Sequence, residues 1–280
     1  MINSDLRKRS KKKLYELKPF LDEFNQSIET ADYINNDPVQ FMHVFDTKKD
    51  REIAGFYAAL MAWGRRDVVC KKTEELLGLM NFKPFEFVEC YNLSDTHLFR
   101  NFKHRTFKPV DMHEITIALS HIYHKYNDFE AFWKMCHILS LESGRPLMSE
   151  FHDQFFLHNN NFSNRTRKHI STPAKNGSCK RLYMYLRWCI RDNSPVDTGI
   201  WNFLTPAELK IPLDVHVARQ SRKLGLLTRK TNDWKSVLEL TRTLKLLDPN
   251  DPVKYDYSLF GLGALGLKIP SRFYLNSVNY

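Results

Sequence analysis

A lysine attacks carbon only as the neutral amine, and a cationic or poorly solvated setting pushes it toward that form. Lys180 stands where the pattern predicts a helix start, so the positive end of the helix dipole disfavours its ammonium, and Arg181 and Lys175 add positive charge nearby. The plainer reading of Lys180 is a surface lysine that follows a loop. Farther along, Asp214 comes after the run Ile211-Pro212-Leu213, at the head of another predicted helix. Aspartate is a preferred N-cap and needs no other role there. The two roles are compatible, because a capping carboxylate is held ionised and directed away from its own helix, as an electrostatic or general-base group must be.

Metal chemistry finds less support. Asp214 and His216 form a D-x-H pair that could give a phosphodiesterase metal two ligands, but no further Asp, Asn and His clusters supply a second metal. His121 and His124 could hold zinc, yet Tyr123 and Tyr126 around them read as a partly buried helix face. The cysteines, Cys70, Cys90, Cys136, Cys179 and Cys189, are odd in number and widely spaced, which argues for thiols rather than disulfides, zinc or an iron-sulfur cluster. No metal and no cofactor are expected.

The elements that must position Lys180 and Asp214 are helices. Ile53, Phe56, Tyr57, Leu60 and Met61 form one buried stripe ended by Gly64, with Asp50 placed to cap its start. Val69, Thr73, Leu76, Leu77 and Met80 repeat the spacing after Asp67. Asp111 with Glu114 reads as a capping box before Ile115, Ala118, Leu119 and Ile122, and Phe129, Phe132, Trp133, Cys136 and Leu139 make the next stripe. Pro146, at a first helical position, opens a short apolar segment through Phe151, Phe155 and Phe156. Residues 158–177 break the pattern with asparagines, a proline, a glycine and several bases, which predicts a loop. Then come a helix from Ser178 to Arg191 with Leu182, Tyr185, Leu186 and Cys189 buried, and a short one capped by Thr205 and Glu208. Three more follow, headed by Asp214, by Thr231 or Asn232, and by Asp251-Pro252. Strand-like alternation is scarce.

Among 280 residues there are only 10 glycines and 12 prolines, few for a chain of many tight turns, while 42% hydrophobic and 13% aromatic residues exclude disorder as the whole answer. No stretch is long and apolar enough for a membrane span or a secretory signal, which predicts a cytoplasmic protein. The 42 Lys and Arg against 32 Asp and Glu leave a charge of +10, which suggests an anionic partner, with nucleic acid first.

The segment LDVHVARQSRKLGL, with Asp214, His216, Val217, Arg219, Arg222, Leu224 and Gly225, resembles the helix-hairpin-helix DNA glycosylase superfamily. AGFYAALMAWGRRDVVCKKTEELLGLM resembles that superfamily's early helical pair. More closely, RTRKHISTPAKNGSCKRLYMYLRWCIR, LDVHVARQSRKLGL and DPNDPVKYDYSLFGLG together resemble an uncharacterised bacterial family placed near those glycosylases, over roughly residues 50–265.

The resemblance implies an all-α, two-lobed helical bundle of the glycosylase type. A basic extension would occupy 1–45 and a catalytic unit 46–270, with lobes at about 50–160 and 178–265 joined by the basic loop 158–177, before a tail at 271–280. It implies excision of a damaged or mispaired base from duplex DNA, with AP-lyase activity, by a nucleoid-associated protein with no obligate protein partner. Lys180 matches the Schiff-base lysine of bifunctional members, and Asp214 matches the carboxylate that stabilises the cationic sugar. Arg165, Arg167, Lys168, His169 and Lys175 would neutralise phosphates, joined by Gly177, Arg181, His216 and Arg219 around the hairpin and the next helix start. Tyr183, Trp188 or Trp201 would stack on the flipped base. Two departures stand out: the G-x-G hairpin is reduced to Asn176-Gly177-Ser178-Cys179, and the thirty-four residues from Lys180 to Asp214 exceed the spacing in the endonuclease III branch. A non-catalytic DNA or RNA structure-binding protein on the same scaffold is the alternative.

Overall fold

The structure, a computed structural model, describes residues 9–157 and 162–274. The ends of the predicted N-terminal extension and C-terminal tail, and positions 158–161 of the predicted loop, lie outside the described residues. Among the described residues twelve α-helices follow one another: α1 Lys11–Ile28, α2 Lys48–Met61, α3 Arg66–Leu79, α4 Pro84–Cys90, α5 Pro109–Tyr126, α6 Phe129–Ser143, α7 Leu147–Phe155, α8 Asn164–Arg167, α9 Lys180–Ile190, α10 Val215–Lys223, α11 Trp234–Leu244 and α12 Tyr255–Ala264. No strand forms among the described residues, only one isolated bridge between His104 and Phe107. The chain is all-helical, and no helix among the described residues is long and apolar enough to cross a membrane.

Several helix starts differ from expectation in which side chain does the capping. Thr47 caps α2 through its hydroxyl, while Asp50 accepts from the Phe85 amide of α4 instead. Asp111 sits in the first turn of α5 and accepts from the Lys108 amide, and Glu114 reaches across to Ser163. Asp233, one residue beyond the predicted position, caps α11. The predicted loop contains α8 and a short 3-10 turn at Pro173–Lys175.

Two apolar cores organise these helices. The larger takes residues from Val39 to Leu209, with Val253 and Tyr257. At its centre every residue of α2 from Glu52 to Met61 is buried, and so is every residue of α9 from Leu182 to Ile190. The buried Glu52 carboxylate accepts from Trp201 Nε1 (2.7 Å), Tyr123 Oη (2.8 Å) and the Phe129 amide (3.1 Å), so it fixes the start of α6 from inside the core. The smaller core joins Leu14, Leu17 and Leu21 of α1 to apolar residues from Ile211 to Phe273. The lobe boundaries therefore differ from those predicted. Helix α9 belongs to the large core, and helix α1 forms one wall of the small core, where Phe20 stacks on Phe273 at 4.8 Å.

An ionic seam joins the cores. Arg191, after α9, binds Glu29 (2.6 Å), Asp251 (2.9 Å) and Asp197, and Arg187 binds Asp197 (3.3 Å) and Asp256. Tyr257 Oη donates to Asp197 at 2.7 Å, and the Arg187 guanidinium lies 4.1 Å from the Tyr257 ring centroid. Each buried charge in the seam thus meets an opposite one, as buried charges must.

Candidate functional site

A cleft of ≈ 720 Å³ opens where the two cores meet, and both Lys180 and Asp214 line it. The approach to Lys180 is a tight hairpin. Asn176 and Cys179 both adopt left-handed φ, at 58° and 53°, which turns the chain sharply into α9 so that Lys180 becomes its first residue. Gly177 is required by close approach, since a Cβ there would come within 2.3 Å of Ser171 Oγ and 3.0 Å of Thr172 O. Burial pushes the neighbouring Cys179 thiol up to about 12, which keeps it a neutral thiol.

Asp214 caps α10, with Oδ1 accepting from the Val217 amide at 2.8 Å. The capping expectation is met, and the same carboxylate faces the cleft wall. Among the described residues neither Lys180 nor Asp214 forms an ion pair, although both act electrostatically on Asp256 at the back of the cleft. Burial pushes the Asp256 carboxyl up to about 7; Arg187 opposes the rise, Asp214 adds to it and Lys180 opposes it.

The walls combine cations and aromatic rings. Arg66 pairs with Asp37 at 3.2 Å, and its guanidinium lies 4.8 Å from the Tyr33 ring and 4.6 Å from the Phe260 ring. Trp63 stands on the turn between α2 and α3 and also lines the cleft. Sequence reasoning missed Asp256, Arg187, Arg66 and these three rings. A signal existed for two of them: Asp256 is a lone carboxylate between tyrosines in an apolar turn, and Trp63 falls outside the buried stripe of its helix.

The residues predicted to touch DNA divide into two groups. Arg165 binds Asp111 (2.9 Å) and Thr106 O; His169 is buried, stacked on Phe107 at 3.8 Å with Nε2 3.4 Å from Asp111. Burial pushes the Asp111 carboxyl up, but hydrogen bonds from His169, the Lys108 amide and Arg165 outweigh it and hold it at about 2. Arg167 covers the Phe156 ring at 4.9 Å. The Gly177 amide donates to Thr172 O at 3.1 Å and is already engaged. Arg181 spends its guanidinium on Leu60 O and His169 O, where burial lowers its pKa to about 10, although it too borders the cleft. Arg219 is exposed and donates to Gly263 O at 3.2 Å, while His216 lines the cleft beside Phe260. Lys168 and Lys175 are exposed and form no ion pair among the described residues.

None of the three predicted stacking rings borders the cleft. Trp188 is fully buried, Trp201 is pinned to Glu52, and Tyr183 is buried parallel to Trp234 at 6.0 Å. For Tyr183 and Trp188 the cause is the burial of α9 on every side, which a single apolar stripe had underestimated; Trp201, beyond α9, is drawn into the core by Glu52. Among the described residues no group of three or more His, Cys, Asp and Glu is placed to hold a metal ion.

Residues 37–265 match the family described as "Protein of unknown function (DUF2400)", and the chain belongs to that family. No curated protein matches it, and no solved structure does.

Proposed function

For this member of that family we propose a DNA base-excision glycosylase on a helix-hairpin-helix glycosylase fold, with AP-lyase activity, in which Lys180 is the nucleophile and Asp214 the catalytic carboxylate. The observation that carries the reading is the convergence of a lysine and a carboxylate, thirty-four residues apart and neither in an ion pair among the described residues, on one aromatic-walled cleft. Lys180 must first give up its proton. The neutral amine then attacks C1′ of an extrahelical nucleotide; the C1′–N bond breaks and the base leaves with the electron pair and takes a proton. Asp214 stabilises the positive charge that develops on the sugar. Nitrogen then loses a proton, its lone pair forms the C=N bond, and the C1′–O4′ bond opens with O4′ keeping the electron pair and taking a proton, which gives the protonated Schiff base.

Lys168 and Lys175, exposed and in no ion pair among the described residues, are the loop cations best placed to meet phosphates, whereas Arg165 and His169 serve the fold by holding Asp111. The test is borohydride trapping with duplexes that carry an aldehydic abasic site or a panel of damaged bases. Hydride reduces the imine to a stable amine, so wild type should give a covalent adduct that Lys180→Gln abolishes. Tight binding with neither adduct nor base release across the panel would favour a non-catalytic structure-binding protein.

A further inference from the structure

We propose that the chain forms a two-fold dimer in which a groove beside α3 packs against the same groove of a second copy. The groove measures ≈ 670 Å³ and is lined by residues of α3, by the stretch 40–45 and by Phe82. It shares no lining residue with the cleft that holds Lys180 and Asp214, so the inference does not depend on the chemistry proposed for that cleft. Apolar side chains that the fold leaves uncovered gather here. Phe41 and Phe45 are buried in the floor, while Val44 and Phe82 stand at the edge, 59% and 51% exposed. Phe82 packs into neither apolar core. Its backbone suits it poorly as well: Asn81 and Phe82 both have φ of 52°, the left-handed region that a bulky side chain rarely enters. The Asn81 amide donates to Gly78 O (3.0 Å) and the Phe82 amide to Leu77 O (2.9 Å), which closes the end of α3 and fixes the turn. Glycine or asparagine would fit that turn better. A large aromatic ring, presented to water beside an apolar groove, fits an interface.

Charge selects a second copy as the occupant. On α3 the groove is edged by Asp67, Lys71 and Glu74, all exposed. Asp67 pairs with Arg65 at 2.6 Å, whereas Lys71 and Glu74 form no ion pair among the described residues. A partner of uniform charge would meet one of these two with the wrong sign. A second copy, turned about a two-fold axis that passes between them, answers both: antiparallel α3 helices then set Lys71 of each copy against Glu74 of the other. In the same register Asp67 lies opposite Gly78, which carries neither charge nor side chain. Nothing stands within 4 Å of the position a Cβ would take at Gly78, so the two backbones can approach there.

The experiment is sedimentation equilibrium of the full chain across a concentration series, for wild type, Phe82→Asn, Lys71→Glu, Glu74→Lys and an equimolar mixture of the two charge variants. Wild type should approach twice the mass of the chain at the high end of the series. Each charge reversal sets like charges opposite one another twice and should weaken the dimer about 10- to 100-fold, and the mixture should recover it as a heterodimer. Lys71 and Glu74 are exposed, so both variants should melt as wild type does. Phe82→Asn should weaken the dimer by a similar factor. It should melt at or above the wild-type temperature, since asparagine accepts left-handed φ. A clear drop in that temperature would make the ring part of the fold and overturn its place at the interface. A wild type that stays monomeric throughout overturns the proposal, as does a dimer that survives the charge reversals or Phe82→Asn. Charge variants that remain monomeric when mixed overturn the pairing of Lys71 with Glu74, and with it the two-fold arrangement.

Discussion

The two ends of α9 place their cations in opposite circumstances. At its start, Lys180 lines an open cleft and forms no ion pair among the described residues. Two to three turns later, Arg187 and Arg191 are buried and shared among Glu29, Asp197, Asp251 and Asp256. One segment therefore carries both a cation that forms no ion pair among the described residues and cations committed to joining two cores. The same division separates Lys168 and Lys175 from Arg165 and His169 in the preceding segment. Positive charge in the sequence is thus no measure of charge available to a partner; only the structure shows which of it is already answered.

The sharpest way to break this comparison is to remove each kind of cation. Lys180→Gln should abolish the borohydride adduct while unfolding free energy stays within about 0.5 kcal/mol of wild type, because no partner is lost. A clear loss of stability would place Lys180 with the structural cations. Arg191→Met should instead cost about 3–5 kcal/mol in denaturant titration, since it strands buried carboxylates; a neutral result would mean that the seam is not what joins the cores.

Asp256 sharpens the comparison because it belongs to both seam and cleft. Its carboxyl is raised from an ordinary 3.8 to about 7 by burial, so the folded state holds this proton more tightly than the unfolded state. Its contribution to stability should then fall as pH rises from about 4 through about 7 and level off above. Asp256→Asn should flatten that fall in unfolding midpoints measured across the window; an unchanged profile would show Asp256 ionised beside Arg187 throughout. Asp111, held at about 2, acts in the opposite sense: its contribution is complete above about 4 and is lost as pH falls toward 2.

The smallest effects separate the loop cations. Lys168→Ala and Lys175→Ala should each reduce the salt dependence of DNA binding by about one unit with no change in melting. Arg165→Ala should leave that slope alone and cost at most about 1 kcal/mol, because its half-exposed pair with Asp111 is partly screened. A slope change at Arg165 instead would return it to the DNA-contacting set.

What could be read from the sequence was local. Helical spacing located α2, α5, α6 and α9, and the Thr205–Glu208 box formed as expected, because both ends of each signal lie within a few residues. The role of Asp214 as a cap was readable for the same reason. The pairing of Arg191 with Glu29, or the bond from the Phe129 amide to Glu52, joins positions far apart in the chain, and spacing carries no trace of either. Trp188 and Trp201 were misplaced as stacking rings because an aromatic residue looks the same in sequence whether it meets a ligand or a core. The packing of α9 on all sides decides for Trp188, and the buried Glu52 carboxylate decides for Trp201.

The small core, made from α1 and the stretch after Ile211, is interrupted in the chain by the whole of the large one. During synthesis at about 5–20 residues per second, Leu14, Leu17 and Leu21 emerge on the order of ten seconds or more before Leu259 and Phe273 arrive to cover them. The large core can close in that interval around α2 and α9, with Lys180 already at its edge. Asp214 joins it only when the late segment folds back onto the early helix. The last step of assembly is therefore the one that completes the cleft, and a chain stopped short of α12 would carry the lysine on a packed core with no finished site around it.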